Sequence, residues 1–156
     1  ALAPDARARL GELRPADAVK TAMAEEMRKS HCNMLSDAVA EKMVIVQRAR
    51  DAHMAASVID AAAGPDLDGA VLISGAGHAR TDHGVPEFLR RMAPGREVLS
   101  IGLVESYPDR RTPDDYAKDH GAPSLPFDFV WFTPRFDATD PCQAHAGALK
   151  RLQQRQ

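Results

Sequence analysis

An excess of charge of either sign is what this chain most plainly lacks. Lys and Arg number 20 against 22 Asp and Glu, a net charge of -2, so nothing electrostatic points to nucleic acid or an acidic membrane surface as partner. No apolar run approaches the roughly 18 residues that a membrane span needs. Cysteine is scarce: Cys32 and Cys142 are the only two and form no CxxC pair, which excludes a zinc ribbon or a thioredoxin motif. There is no HExxH or similar histidine pair, no internal repeat and no low-complexity segment. Nor is there a signal peptide, since Ala1 opens straight into a helical pattern. The expectation is that a targeting segment has been removed or that the chain begins partway through a longer protein. The two cysteines leave two readings open: a pair of free thiols, or, if the protein is exported, one disulfide stabilising by roughly 4 kcal/mol in the chain-entropy model.

What is present suits one domain. At 156 residues, 44% hydrophobic and 27% charged, the chain can bury a single core. A helix-rich stretch runs to about Ser30, with Pro15-Ala16-Asp17 opening a segment of Ala, Met, Glu and Lys. A longer helix is predicted from about Ser36 to Ala63, with Ser36 or Asp37 as N-cap and Gly64-Pro65 ending it. The apolar run from Gly69 to Ser74 predicts a buried strand. A loop from Gly75 to Gly84 and a short helix from Pro86 to about Met92 follow, then a second strand over Glu97–Val104. The segment from Glu105 to Pro126, with four prolines and both tyrosines, predicts a long irregular loop. Phe127–Phe132 predicts a third strand. Strand, helix, strand in this order gives an α/β class, with a parallel or mixed sheet flanked by long helices. Three strands are few for such a sheet, so the domain is expected to be incomplete and to need further strands from elsewhere.

Candidate chemistry concentrates in two places. On the long helix, Val39, Met43, Val46, Met54 and Val58 fall on one arc, with Arg50 at its middle and Gln47 and Asp51 at its edge. A core-facing arginine must be paired: it either ties the helix to nearby loops or lines a ligand cavity, and the first is the simpler reading. The loop Gly75-Ala76-Gly77-His78-Ala79-Arg80-Thr81-Asp82-His83-Gly84 leaves the carboxyl end of a predicted strand, where open α/β sheets place their sites. It lacks the third glycine of a dinucleotide fingerprint. His78 suits an axial haem ligand, a metal ligand or a general base, or else a buried histidine bonded to backbone. Arg80 and Asp82 can orient it or meet an anion such as a propionate. His83 reads more simply as a solvent-facing loop residue. His31 favours a helix C-terminus; His53, His120 and His145 carry no ligand pattern.

Three segments together resemble the ChaN-like haem-binding family of the Tiki and TraB superfamily. They are Gln47-Arg48-Ala49-Arg50-Asp51-Ala52-His53-Met54-Ala55; Val71 to Arg80 with Asp82 and Gly84-Val85-Pro86; and Asp128 to Arg135 with Asp140-Pro141-Cys142. His31-Cys32 also fits. The resemblance implies a bacterial envelope protein, periplasmic or lipid-anchored to the outer membrane, that serves haem or iron acquisition without catalysis and dimerises around haem. By this match His78 falls on the family's GxGH histidine, and Arg50, Asp51 and Met54 on its RDxxMA helix. Residues 1–142 then form the C-terminal part of one domain, with 143–156 a polar tail, because the family's opening strand with its Gly-Glu-x-His motif has no counterpart here. The absent N-terminal half is thus an expected partner, as is a second copy of the chain. Tyr107, Tyr116 and His83 are further candidates for iron, since tyrosinate and imidazole both bind ferric haem, although both tyrosines also suit ordinary loop positions. Export favours the disulfide. The alternative implied by the superfamily is a hydrolase that uses a divalent metal, with His78 as one ligand.

Overall fold

The computed structural model describes residues 13–144 and residue 147. Helix α1 (Asp17–Ser30) has Asp17 in its first turn and Arg28 and Lys29 in its last, each placed to suit the helix dipole. The chain reverses through Cys32 and Asn33, both at positive φ (58° and 56°). The Ser36 side chain then accepts from Val39 N–H to cap α2 (Asp37–Ala61). The hairpin is antiparallel: Met23 and Ala24 of α1 pack on Ala40 and Val44 of α2, and Lys20 and Arg28 pair with Glu41 and Asp37.

The second half of α2 packs on α4. After the short helical turn α3 (Ala76–Ala79), α4 (Val85–Met92) starts with Pro86 in its first turn, where the missing N–H costs nothing. Ala52, Ala55 and Ala56 of α2 meet Val85 and Phe88 there. The buried line along α2 is therefore Ala40, Val44, Arg48, Asp51, Ala52 and Ala55, not the arc of Val39, Met43, Val46, Met54 and Val58. Val39 and Val46 are exposed, and so is Arg50. The physical reason is close approach: α1 and α4 pack against small residues, and α2 bears apolar side chains all round, so the larger aliphatics do not mark its inner face. The buried arginine is Arg48, 2% exposed. It donates to both carboxylate oxygens of Glu87 and to the carbonyls of His83 and Leu13, and its guanidinium lies 4.2 Å from the Phe88 ring centroid.

The sheet has two strands, β1 (Ile101–Glu105) and β2 (Phe129–Thr133), paired in parallel from Ile101↔Phe129 to Glu105↔Thr133. The class is α/β, as expected. The first expected strand, the buried run Gly69–Ser74, is not in the sheet: among the described residues it makes no backbone ladder, and Ile73 is 94% exposed. A cleft separates its residues from those leading into β1. The predicted irregular loop is instead the crossover between the two strands. It contains α5 (Pro113–Ala117) and a 3-10 turn at Lys118–His120. Thr112 and Asp115 form a capping box around Pro113, a start signal legible in Thr112-Pro113-Asp114-Asp115.

One face of the sheet is covered. Phe127 lies against Gly102, where an added Cβ would come within 2.5 Å of the ring, and Tyr116 meets Phe132 with ring centroids 5.0 Å apart. The other face, built from Ile101, Leu103, Phe129 and Trp131, is bare, Leu103 and Trp131 being 67% and 69% exposed. A last turn, α6 (Pro141–Ala144), takes in the start of the expected tail. Cys142 in it is disulfide-bonded to Cys32 across a sequence separation of 110. No described helix is long and apolar enough to cross a membrane.

Candidate functional site

Two polar clusters flank the loop between α3 and α4. The first joins α2 to α3. His78 Nδ1 lies 2.5 Å from Asp51 Oδ1, and the Gln47 side-chain amide lies 2.9 Å from Nδ1 and 3.3 Å from Nε2. Residues 47 and 51 are one helical turn apart and so share a face; Gly75 opens the turn that brings His78 to them. Asp51 is fully buried. Burial pushes its carboxyl pKa up, against the hydrogen bond and charge of His78. Its second oxygen, Oδ2, is buried with no hydrogen-bond partner. Such an arrangement fixes the imidazole's orientation.

The His78 side chain is 23% exposed and forms part of the wall of a mostly apolar cleft of about 800 Å³. Val58, Ile59, Leu72, Leu89, Leu99 and Ile101 supply its apolar lining, and the exposed Arg96 sits on it as well. Apolar walls with a few convergent polar groups are the usual make-up of a small-molecule site.

The second cluster is a closed charge network. Arg80, 2% exposed, forks onto Asp82 (Nε to Oδ1 3.0 Å, Nη2 to Oδ2 2.8 Å). Its Nη1 donates to Glu26 of α1 and to the His120 carbonyl. His83 lies between Asp82 (3.2 Å) and Glu26 (3.5 Å). Burial alone would lower the His83 pKa; hydrogen bonds to Asp82 and Glu26 outweigh it, and the net direction is up. Burial likewise opposes ionisation of Asp82 and Glu26, yet His83 and Arg80 hold both below the usual carboxylate range. His120 is pushed down, by burial first and then by the charge of Arg80. Gly84 completes the fold of the loop, because a Cβ there would overlap the carbonyls of His78 and Arg80.

The loop thus faces two ways. His78 turns to α2 and the cleft, whereas Arg80, Asp82 and His83 turn to α1 and the crossover. His83 is buried and ion-paired, not a solvent-facing residue, and Arg80 orients Asp82 and Glu26 instead of His78. Tyr116 is buried, and its hydroxyl accepts from Tyr107 N–H at 2.9 Å. Met54 packs beside the α2–α4 core, and Arg50 is exposed on the other side of α2. Tyr107 is half-buried at the far end of the sheet. Ser100 Oγ donates to the Ala79 carbonyl and Thr81 N–H to that of Pro126, so the His78 loop sits at the amino ends of the strands. Tyr107 follows their carboxyl ends, beyond a strand of roughly 13 Å. The His78 loop and both tyrosines therefore do not meet on one ligand within a single copy.

The other histidines are local. His31 Nδ1 contacts the Met27 carbonyl at 2.8 Å; His53 is exposed; His145 lies outside the described residues. Among the described residues no three His, Cys, Asp or Glu side chains converge as a metal site would require. Sequence reasoning missed Glu26 and Arg48. Arg48 stands two residues from Arg50, and only the packing of α1 and α4 distinguishes them. The pairing of Asp51 with His78 was half-visible, since both belong to the quoted motifs.

A family model described as "Haem-binding uptake, Tiki superfamily, ChaN" matches residues 1–89. The match takes in both polar clusters except His120 and ends before β1, so the segment from Asp128 to Cys142 lies outside it. No curated protein and no solved structure matches the chain.

Proposed function

Because the chain belongs to the ChaN haem-binding uptake family of the Tiki superfamily, we propose that it binds haem without catalysis, for bacterial haem or iron acquisition at the cell envelope. The observation that carries this reading is the placement of His78 on the wall of an apolar cleft with a buried carboxylate behind it. The cleft has the size class of cofactor pockets. Asp51 engages Nδ1, and Nε2 would be the nitrogen for iron once the Gln47 amide, 3.3 Å from it, turns aside. The bound group would supply the iron centre; the chain supplies orientation, a dry wall and one imidazole. Arg96 offers the cation for a propionate that Arg80, held by Asp82 and Glu26, cannot offer.

Two further parts of the proposal concern setting. The bare face of Ile101, Leu103, Phe129 and Trp131 shares Ile101 with the cleft, so a second copy seated there would cover the apolar face and close over haem in the cleft. The Cys32–Cys142 disulfide suits an oxidising compartment such as the periplasm.

The test is a hemin titration followed by absorbance and by sedimentation, on the native chain, His78→Ala and His83→Ala. The expected result is a saturable Soret band, weakened about tenfold or more by His78→Ala, with dimer formation on saturation. His83→Ala should lower thermal stability and leave the Soret position unchanged. A Soret band unaltered by His78→Ala would remove His78 from the iron, and non-saturable binding would remove haem from this chain.

A further inference from the structure

β1 and β2 run in parallel and end at the same edge, the carboxyl edge, where open parallel sheets bind ligands. Tyr107 lies two residues beyond β1 and Arg135 two beyond β2, held level by the hydrogen bond from Ser106 N–H to the Thr133 carbonyl (2.9 Å). Two guanidinium groups converge on the Tyr107 ring. The central carbon of Arg110 is 4.4 Å from its centroid and that of Arg135 is 4.5 Å; Arg110 is also 5.0 Å from the centroid of Tyr116.

Two like charges beside one ring repel each other unless counter-charges answer them. Arg110 has one, Asp119. Arg135 has no carboxylate at ion-pair distance among the described residues, and its Nε is buried without a hydrogen-bond partner. Leaving a charged donor buried and unanswered costs more than an ordinary hydrogen bond returns. The nearest acidic influence is Asp137, whose carboxyl is lowered chiefly by Thr139 and only lastly by Arg135. Its Oδ1 already accepts from Thr139 N–H at 2.8 Å. The ring platform offsets part of the cost through cation–π attraction. Nε itself is out of a ligand's reach, so a planar oxyanion would be gripped by the Nη1–Nη2 edge, which makes no hydrogen bond to the described residues.

We propose that Arg135, set on Tyr107 beside Arg110, is a carboxylate-binding site at the carboxyl edge of the sheet, taking a small organic acid. The site is separate from the His78 cleft at the opposite end of β1, needs no haem, and stands or falls independently of the haem reading. Arg135 is the positioning donor, Tyr107 the platform, and Arg110 a second cation that raises the local potential.

Isothermal calorimetry with succinate as the probe, and inorganic phosphate for comparison, tests this on the haem-free full chain. Saturable succinate binding is expected, weakened about tenfold or more in Arg135→Gln. Arg135→Lys keeps the charge and loses the planar fork, so it should weaken succinate by a similar factor. Circular dichroism melts of both variants verify that they fold; if Arg135→Gln does not, the folded Arg135→Lys protein carries the comparison. No saturable heat with succinate, or full retention of binding by Arg135→Lys, would overturn the proposal, as would tighter binding of phosphate than of succinate.

Discussion

Asp51 Oδ1 stands 2.5 Å from His78 Nδ1, and through this contact, with Gln47 beside it, the long helix fixes the ring of a residue 27 positions later in the chain. The carboxylate is fully buried and its other oxygen has no partner. Function and stability pull against each other at such a position.

Asp51→Asn separates the two. Asparagine keeps an acceptor for the imidazole N–H and removes a buried charge whose pKa is raised. A group with a raised folded pKa favours the fold below its unfolded pKa and loses that contribution as pH rises through the folded value. At pH 7.5 Asp51 is therefore a net cost. Asp51→Asn is expected to be more stable by about 1 kcal/mol in urea unfolding at that pH and to bind hemin more weakly. Equal hemin affinity in both proteins would detach Asp51 from the proposed site.

The Arg80 network sets a pH window. Asp82 and Glu26 have lowered pKa values, so their stabilisation is present above the unfolded carboxylate range and is lost as acid is added. His83 has a raised pKa, so its contribution is complete below about 6.5, the unfolded value, and fades as pH rises through the folded one. Stability from this cluster should peak between about pH 5 and 6.5. His120, lowered, works in the opposite sense, its cost disappearing as pH rises. Melting temperatures from pH 4 to 9 check this. His83→Gln should flatten the alkaline fall, and His120→Asn should raise stability on the acid side of about pH 6.5 while leaving the alkaline fall unchanged.

The two neighbouring arginines of α2 make a clean comparison. Arg48→Ala leaves Glu87 to Arg91 alone and takes the donor from the His83 carbonyl, and should cost about 1–3 kcal/mol through the lost hydrogen bonds and packing. Arg50→Ala, on the exposed side, should stay within about 0.5 kcal/mol of the native chain. Denaturant midpoints of the two variants decide it, and equal losses would contradict the seam along Ala40, Val44, Arg48 and Ala52.

That pair of residues also marks what was legible beforehand. The helices and their caps were, because Ser36, Pro86 and the Gly64-Pro65 break act locally. So was the parallel pairing class, although the pair proved to be β1 with β2 across the proline-rich crossover. Which face of α2 turns inward was not, since α1 and α4 choose it by how closely they can approach alanine. The fate of Gly69–Ser74 was not legible either: an apolar run specifies a strand only where another strand is adjacent to pair with it. For the site, the GxGH loop and the RDxxMA helix directed attention to the correct pair of segments. Which members touch depends on rotations of a helix and a loop that a motif does not encode, so Asp51 meets His78 while Arg50 and Met54 do not. His83 was misread because nothing near it in sequence announces Glu26, 57 residues earlier.

The Cys32–Cys142 bond has a mechanical consequence. Tension applied to the chain beyond residue 142 passes directly into the turn between α1 and α2. The sheet, the crossover and the His78 loop all lie inside the covalent ring and are shielded from that force. A protease cut anywhere within the ring likewise leaves one molecule rather than two fragments. Pulled from its ends, the oxidised protein can unravel only outside residues 32 and 142, and only reduction exposes the remainder to load.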